Sequence, residues 1–214
     1  MKTIKTIQLA TILAFFIGFT SCSSDDDSSS NDLLDLEAET VLNLYAPQEG
    51  GQGEPVSGDF TKFDFSTGST TTSETEWDIA FRGTTIIVNG GVSSGTTDEP
   101  ERNGDAAVYS VTGTMSSVTT VDTSLFNQDS AEGYAITTGS GNGWYTYAGP
   151  PTHLINPIAG KIFVFKTFDG KYAKVEFLSY YENAPENPDA FADATPYYTF
   201  NFVYQPNEGE TSFE

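Results

Sequence analysis

The sequence is poor in the groups that carry most protein chemistry. It has one cysteine, one histidine and two methionines, and only 9 lysines and arginines against 30 aspartates and glutamates in 214 residues. A single cysteine, Cys22, cannot build a disulfide framework. So few cations exclude nucleic acid as a partner, because phosphate binding needs clustered Lys and Arg. The formal net charge of −21 favours solubility in an exposed setting and works against capture of any anion that lacks a local basic or apolar site. A repeat of fixed period is missing, so a propeller or solenoid lacks its usual signature. Helical periodicity is limited to short suggestions at LLDLEAE and PDAFADA.

The N-terminus holds the first positive signal. Lys2 and Lys5 precede an apolar run from Ile7 to Phe19, broken by Gln8, Thr11 and Gly18 and followed by the small residues Thr20 and Ser21. This is the build of a secretory signal over residues 1–21. It is too short to span a bilayer securely, which takes about 20 apolar residues. Phe19-Thr20-Ser21-Cys22 resembles the lipobox of bacterial lipoproteins, in which the new N-terminal cysteine is acylated. Each buried methylene contributes about 0.8 kcal/mol, so a multiply acylated Cys22 is expected to hold the chain firmly on a lipid membrane. An ordinary signal cut near Ser21 is the alternative. Residues 22–37 then read as the acylated cysteine and a flexible acidic, Ser-rich tether with little apolar surface to bury. The patch after Cys22 resembles the surface-export signal of Bacteroidota lipoproteins, which implies an outer-membrane, cell-surface location; a solvated spacer is the alternative source of the charges.

The remaining chain, 38–206, is long enough for one domain with a sizeable core, followed by a flexible tail over 207–214. Its period is two. WDIAF sets Trp77, Ile79 and Phe81 on one face, and TTIIVN and AAVYSVT are short and β-branched. KIFVFKTFDGKYAKVEFLSYY is two alternating runs joined at Asp169-Gly170, a pair suited to a tight turn. YYTFNFVYQ places Tyr198, Phe200, Phe202 and Tyr204 on one side. The expected fold class is all-β, a single largely antiparallel β-sheet domain. Residues 90–104 read as a mobile surface loop. Residues 137–157 combine glycine and proline with Trp144, Tyr145, Tyr147 and His153, and aromatic and imidazole side chains on such a loop point to a neighbour or a ligand.

WDIAFRGTTIIVNGG, GNGWYTYAGPPTHLINP, the KIFVF…LSYY hairpin and the final YYTFNFVYQ strand, in that order behind a lipoprotein signal, resemble the HmuY-like haem-binding lipoproteins of Bacteroidota. The resemblance implies a non-catalytic protein that takes haem (iron protoporphyrin IX), held non-covalently, from haemoproteins and passes it to an outer-membrane haem receptor. It also implies two axial iron ligands. His153 falls where one is expected, and a loop histidine bonded to backbone is the alternative. Met115, the one methionine outside the leader, is the candidate for the second ligand; a methionine filling a core gap on an alternating strand competes with that assignment. Tyr145 or Tyr147 as tyrosinate, His153 alone, or loss of haem binding altogether, are the other arrangements. Trp144, Tyr145, Tyr147 and Leu154 are candidates for the porphyrin wall, and Lys161, Lys166, Lys171 and Lys174 for charge near its carboxylates.

Two features point to other function classes. GVSSG at 91–95 matches a hydrolase nucleophile motif, but the TTDEPERNG that follows cannot continue as the helix that motif needs. A glycan- or protein-binding surface built on Trp77, Trp144 and the tyrosines is the alternative to haem.

Overall fold

A computed structural model describes residues 33–214; the leader, Cys22 and most of the tether lie outside the described residues. The strands in chain order are β1 (Glu37–Tyr45), β2 (Glu49–Gly51), β3 (Glu54–Ser57), β4 (Thr61–Asp64), β5 (Ser69–Thr71), β6 (Ile79–Arg82) and β7 (Thr85–Val88). They continue as β8 (Ala107–Thr112), β9 (Tyr145–Tyr147), β10 (Ile155–Pro157), β11 (Lys161–Lys166), β12 (Tyr172–Ser179) and β13 (Tyr197–Gln205). A five-stranded sheet in the order β1-β13-β12-β11-β8 faces a four-stranded sheet in the order β5-β4-β6-β7, and β2-β3 and β9-β10 are separate hairpins. All strand pairs are antiparallel, as the sequence leads one to expect.

The period-two pattern builds the core between the two sheets. Phe163, Phe165, Phe177, Tyr198, Phe200 and Phe202 from the large sheet meet Phe63, Ile79, Phe81, Ile86 and Val88 from the small one. Aromatic edges interlock across the gap, with Phe63–Phe200 ring centroids 5.4 Å apart and nearly perpendicular. Asp169-Gly170 does close the β11–β12 hairpin. The loop has three residues, Phe168 to Gly170, between the Thr167 N–H and the Lys171 carbonyl, and only Gly170 takes positive φ. That is a type I turn with a glycine bulge, which matches the strand twist.

The back face of the large sheet carries a second cluster of Tyr109, Ile162, Val164 and Tyr172, covered by Val118, Val121 and Phe213. Three expectations change here. The tail 207–214 is docked: Phe213 is buried and its N–H donates to Thr119 O at 2.8 Å. The last tether residues belong to the fold as well, because Leu36 packs on the same cluster and β1 begins at Glu37. The helical suggestion in LLDLEAE gives way to β1, since pairing with β13 satisfies the backbone groups that an isolated short helix would leave open.

Trp77 also departs from the sequence reading. It packs with Phe60, Ala80 and Ile87 on the outer face of the small sheet, opposite Ile79 and Phe81. The chain bends at Asp78, whose buried carboxylate accepts the N–H of Phe65 at 2.7 Å and of Phe168 at 2.8 Å and so ties the two sheets together. Burial pushes that carboxyl up to about 7, even though the two N–H groups oppose the shift.

The loop 90–104, expected to be mobile, closes over this outer cluster through buried ion pairs. Arg102 reaches Glu99 at 2.6 Å and Asp129 at 2.9 Å, with all three side chains at or below 1% exposure. The N–H and hydroxyl groups of Ser94 and Thr96 donate to Glu99. Burial alone would raise the Glu99 pKa, but these donors outweigh it and hold the carboxyl down to about 2. Ser93 sits in this bonded loop and not on a strand-to-helix turn, which disposes of the GVSSG motif.

Candidate functional site

The β9–β10 hairpin positions the candidate residues. Ile155 pairs with Tyr147 and Pro157 with Tyr145, and Ala148 N–H to Leu154 O at 2.8 Å extends the pairing to the loop 149–153. Within that loop His153 takes φ 54°, a left-handed conformation that histidine tolerates better than most residues, and its N–H donates to Gly149 O at 2.8 Å. The result is an exposed imidazole at the loop's end.

Two rings hold that imidazole. The Tyr147 hydroxyl is hydrogen-bonded to His153 Nδ1, and the Phe191 ring stands edge-on to it with centroids 5.5 Å apart. Tyr147 is 45% and Phe191 76% exposed, so two exposed rings stand beside His153. Phe191 was not selected from the sequence. It is set at the apex of a single turn in which Asp189 Oδ1 accepts the Phe191 N–H at 2.9 Å and Asp193 Oδ2 accepts the Asp189 N–H at 2.7 Å. The available signal was a lone large apolar residue in PDAFADA after a proline, where aspartate favours a local turn over a helix.

Trp144 is placed differently from the expected porphyrin wall. It is 2% exposed, its indole Nε1 donates to Thr84 O at 2.9 Å, and it packs on Tyr145, Phe177, Tyr180 and Tyr198. Its work is to fasten the hairpin to the core. Tyr145 and Leu154 are half-buried against the same core, which leaves Tyr147 as the exposed ring beside His153.

Met115 is not brought to His153. It opens a 3₁₀ turn, Met115–Ser117, capped by Thr114, so it is not on an alternating strand. Its side chain packs on the back-face cluster with Ile162 and Val164, whereas the β9–β10 hairpin packs on the front core with Phe163 and Phe177. Alternation along β11 and β12 puts these on opposite faces of one sheet. The structure thus separates the expected His153–Met115 pair.

The hairpin lysines do not gather beside the aromatic loop either. Lys166 pairs with Asp105 and Lys171 with Asp169. Lys174 is buried and donates to the carbonyls of Met115 and Val118, each at 2.7 Å. Lys161 donates to Gly143 O at 2.6 Å at the base of the β9–β10 hairpin. Burial lowers the pKa of both Lys174 and Lys161.

The donor set at the loop is one imidazole with flat apolar neighbours. Among the described residues no group of three or more His, Cys, Asp or Glu side chains is placed to hold a bare metal ion. One axial nitrogen and ring contact are what a metal carried in its own planar ligand would need from such a loop.

The HmuY protein family model matches residues 57–201 of the chain. No curated protein matches it. Among solved structures, the apo HmuY analogue of Tannerella forsythia is 14% identical, with 83% of this chain and 100% of that one covered and a TM-score of 0.49. A protein from Bacteroides vulgatus named as HmuY-like and heme binding is 15% identical, covering 82% and 97%, with a TM-score of 0.45. A Bacteroides fragilis structure named as a lipoprotein is 14% identical, covering 82% and 94%, with a TM-score of 0.46.

Proposed function

The chain belongs to the HmuY family, and on that premise we propose that it binds haem through His153, as a lipid-anchored surface protein that carries haem toward uptake without catalysing a reaction. The observation that carries this reading is the exposed His153 imidazole held between the Tyr147 hydroxyl and the Phe191 ring.

The bond to Tyr147 occupies Nδ1 and leaves Nε2 as the nitrogen open to a ligand. When Nδ1–H donates to the Tyr147 oxygen, the Nε2 lone pair faces outward and can ligate iron; the reverse tautomer carries a proton on Nε2 and cannot. Ligation therefore selects the first tautomer, and Tyr147 acts as a positioning residue. Haem supplies the iron and a broad apolar ring, for which Phe191 and Tyr147 offer contact surface.

The test is a haemin titration of the full chain. A Soret band that shifts and saturates at one equivalent supports the reading. A spectrum equal to that of free haemin at every ratio contradicts it. In Tyr147→Phe the same titration is expected to show affinity about tenfold weaker, the usual scale for losing a group that orients a metal ligand.

Anchoring rests on the lipobox-like FTSC and delivery to a receptor on the family. Metabolic labelling with a fatty-acid analogue is expected to mark the wild type and spare Cys22→Ser. Label retained on Cys22→Ser removes the anchor, and protection from protease on intact cells removes the surface location.

A further inference from the structure

The segments that carry His153 and Phe191 hold acidic residues and, apart from Lys161 at the hairpin base, no cation. No lysine or arginine occurs from Asn103 to Gly160, or anywhere after Lys174. The cation at the hairpin base, Lys161, is bound to Gly143 O, and four extended residues, about 13 Å of chain, separate the base of β10 from His153. Glu182, Glu186, Asp189 and Asp193 lie in the segment that presents Phe191. Asp189 and Asp193 stand two residues before and after Phe191, and both hold the turn by accepting main-chain N–H groups. None of the ion pairs found among the described residues neutralises them.

A site that reads a porphyrin's carboxylates supplies arginine or lysine for them. Here the local field opposes them, and the overall charge of −21 adds to it. We propose that, within the haem-binding reading on which this rests, the site selects iron porphyrins through metal and ring face alone and disfavours peripheral negative charge, with Asp189 and Asp193 setting that preference. Its substrate class is accordingly wider than haem and includes iron porphyrins whose carboxylates are esterified.

Two consequences distinguish this from a carboxylate-reading site. The dimethyl ester of haemin binds more tightly than haemin. Added salt strengthens haemin binding, because screening shortens from about 30 Å at 0.01 M to less than 10 Å above 0.1 M and weakens a repulsion, whereas a site built on ion pairs loses affinity.

The experiment compares haemin and its dimethyl ester on the full chain in one non-ionic detergent, from about 10 to about 300 mM salt. The diester is expected to bind two- to fivefold more tightly at low salt, and haemin affinity to rise severalfold as salt is added. In the double variant Asp189→Asn, Asp193→Asn, which keeps an accepting oxygen for each N–H group, the gap between the ligands is expected to close. Haemin binding equal to or tighter than the diester, affinity falling with salt, or an unchanged gap in the double variant overturns the inference while leaving haem binding intact. Failure of both ligands to bind overturns the haem reading itself, and this inference with it.

Discussion

His153→Ala is expected to weaken haem binding by a factor of about 100 or more, roughly 2.7 kcal/mol, and to move the Soret band toward that of free haemin. The loss is large because the chain has no second histidine and the methionine outside the leader lies across the sheet. The fold is expected to survive. The imidazole is exposed and contributes no packed volume to the core, and the Tyr147 hydroxyl that loses its partner is open to water. The one local cost comes from φ 54°, which alanine adopts less readily than histidine or asparagine. His153→Asn removes that objection, since asparagine tolerates the left-handed region and offers iron no comparable donor. Equal loss of haem in both variants, with unchanged circular dichroism and unfolding temperature, assigns the effect to the ligand. Retained affinity in both excludes His153.

Arg102→Ala is expected to do the reverse: a loss of about 3 to 5 kcal/mol of stability with haem affinity of the folded protein unchanged. The guanidinium neutralises Glu99 and Asp129 where neither reaches solvent, and removal strands two buried carboxylates. The pH dependence has a definite sign. Glu99 titrates near 2 in the fold against 4.5 when unperturbed, so its stabilising contribution is complete above about 4.5 and is lost as pH falls toward 2. Without Arg102 the carboxyl pKa values rise, and the variant's deficit shrinks on acidification as they take up protons. Urea unfolding of both proteins at neutral pH and near pH 4 measures this. A deficit under 1 kcal/mol, or one that grows on acidification, contradicts the account of the loop.

Contrasting these two sites shows what a sequence exposes. The β11–β12 hairpin and β13 were legible because their signals are local: alternation of apolar residues and a glycine at the turn. His153 was legible as a candidate, placed by family resemblance and by its unusual loop. Its surroundings were not, because Phe191 arrives from 38 residues away through a turn whose aspartates look like ordinary solvated charge. Trp77 was assigned to the wrong face because alternation says nothing about a bend, and this one is caused by Asp78 turning inward to bond Phe65 and Phe168. The same limit explains loop 90–104 and the tail. Polar composition reads as mobile, yet Arg102 finds buried carboxylates and Phe213 finds a hydrophobic cluster that only the assembled sheets create. Of the hairpin lysines, strand alternation sends Lys161 to the front face and Lys166 and Lys174 to the back, while Lys171 lies outside the strands.

Direct observation of the His153 ring nitrogens tests the central claim. With one histidine in the chain, ¹⁵N-histidine labelling yields two ring resonances in NMR, both from His153. On haemin saturation the account predicts that the Nε2 resonance is displaced or broadened beyond detection by the iron, while Nδ1 is locked as the protonated nitrogen bonded to Tyr147. Two ring resonances unchanged at full haem occupancy would contradict it.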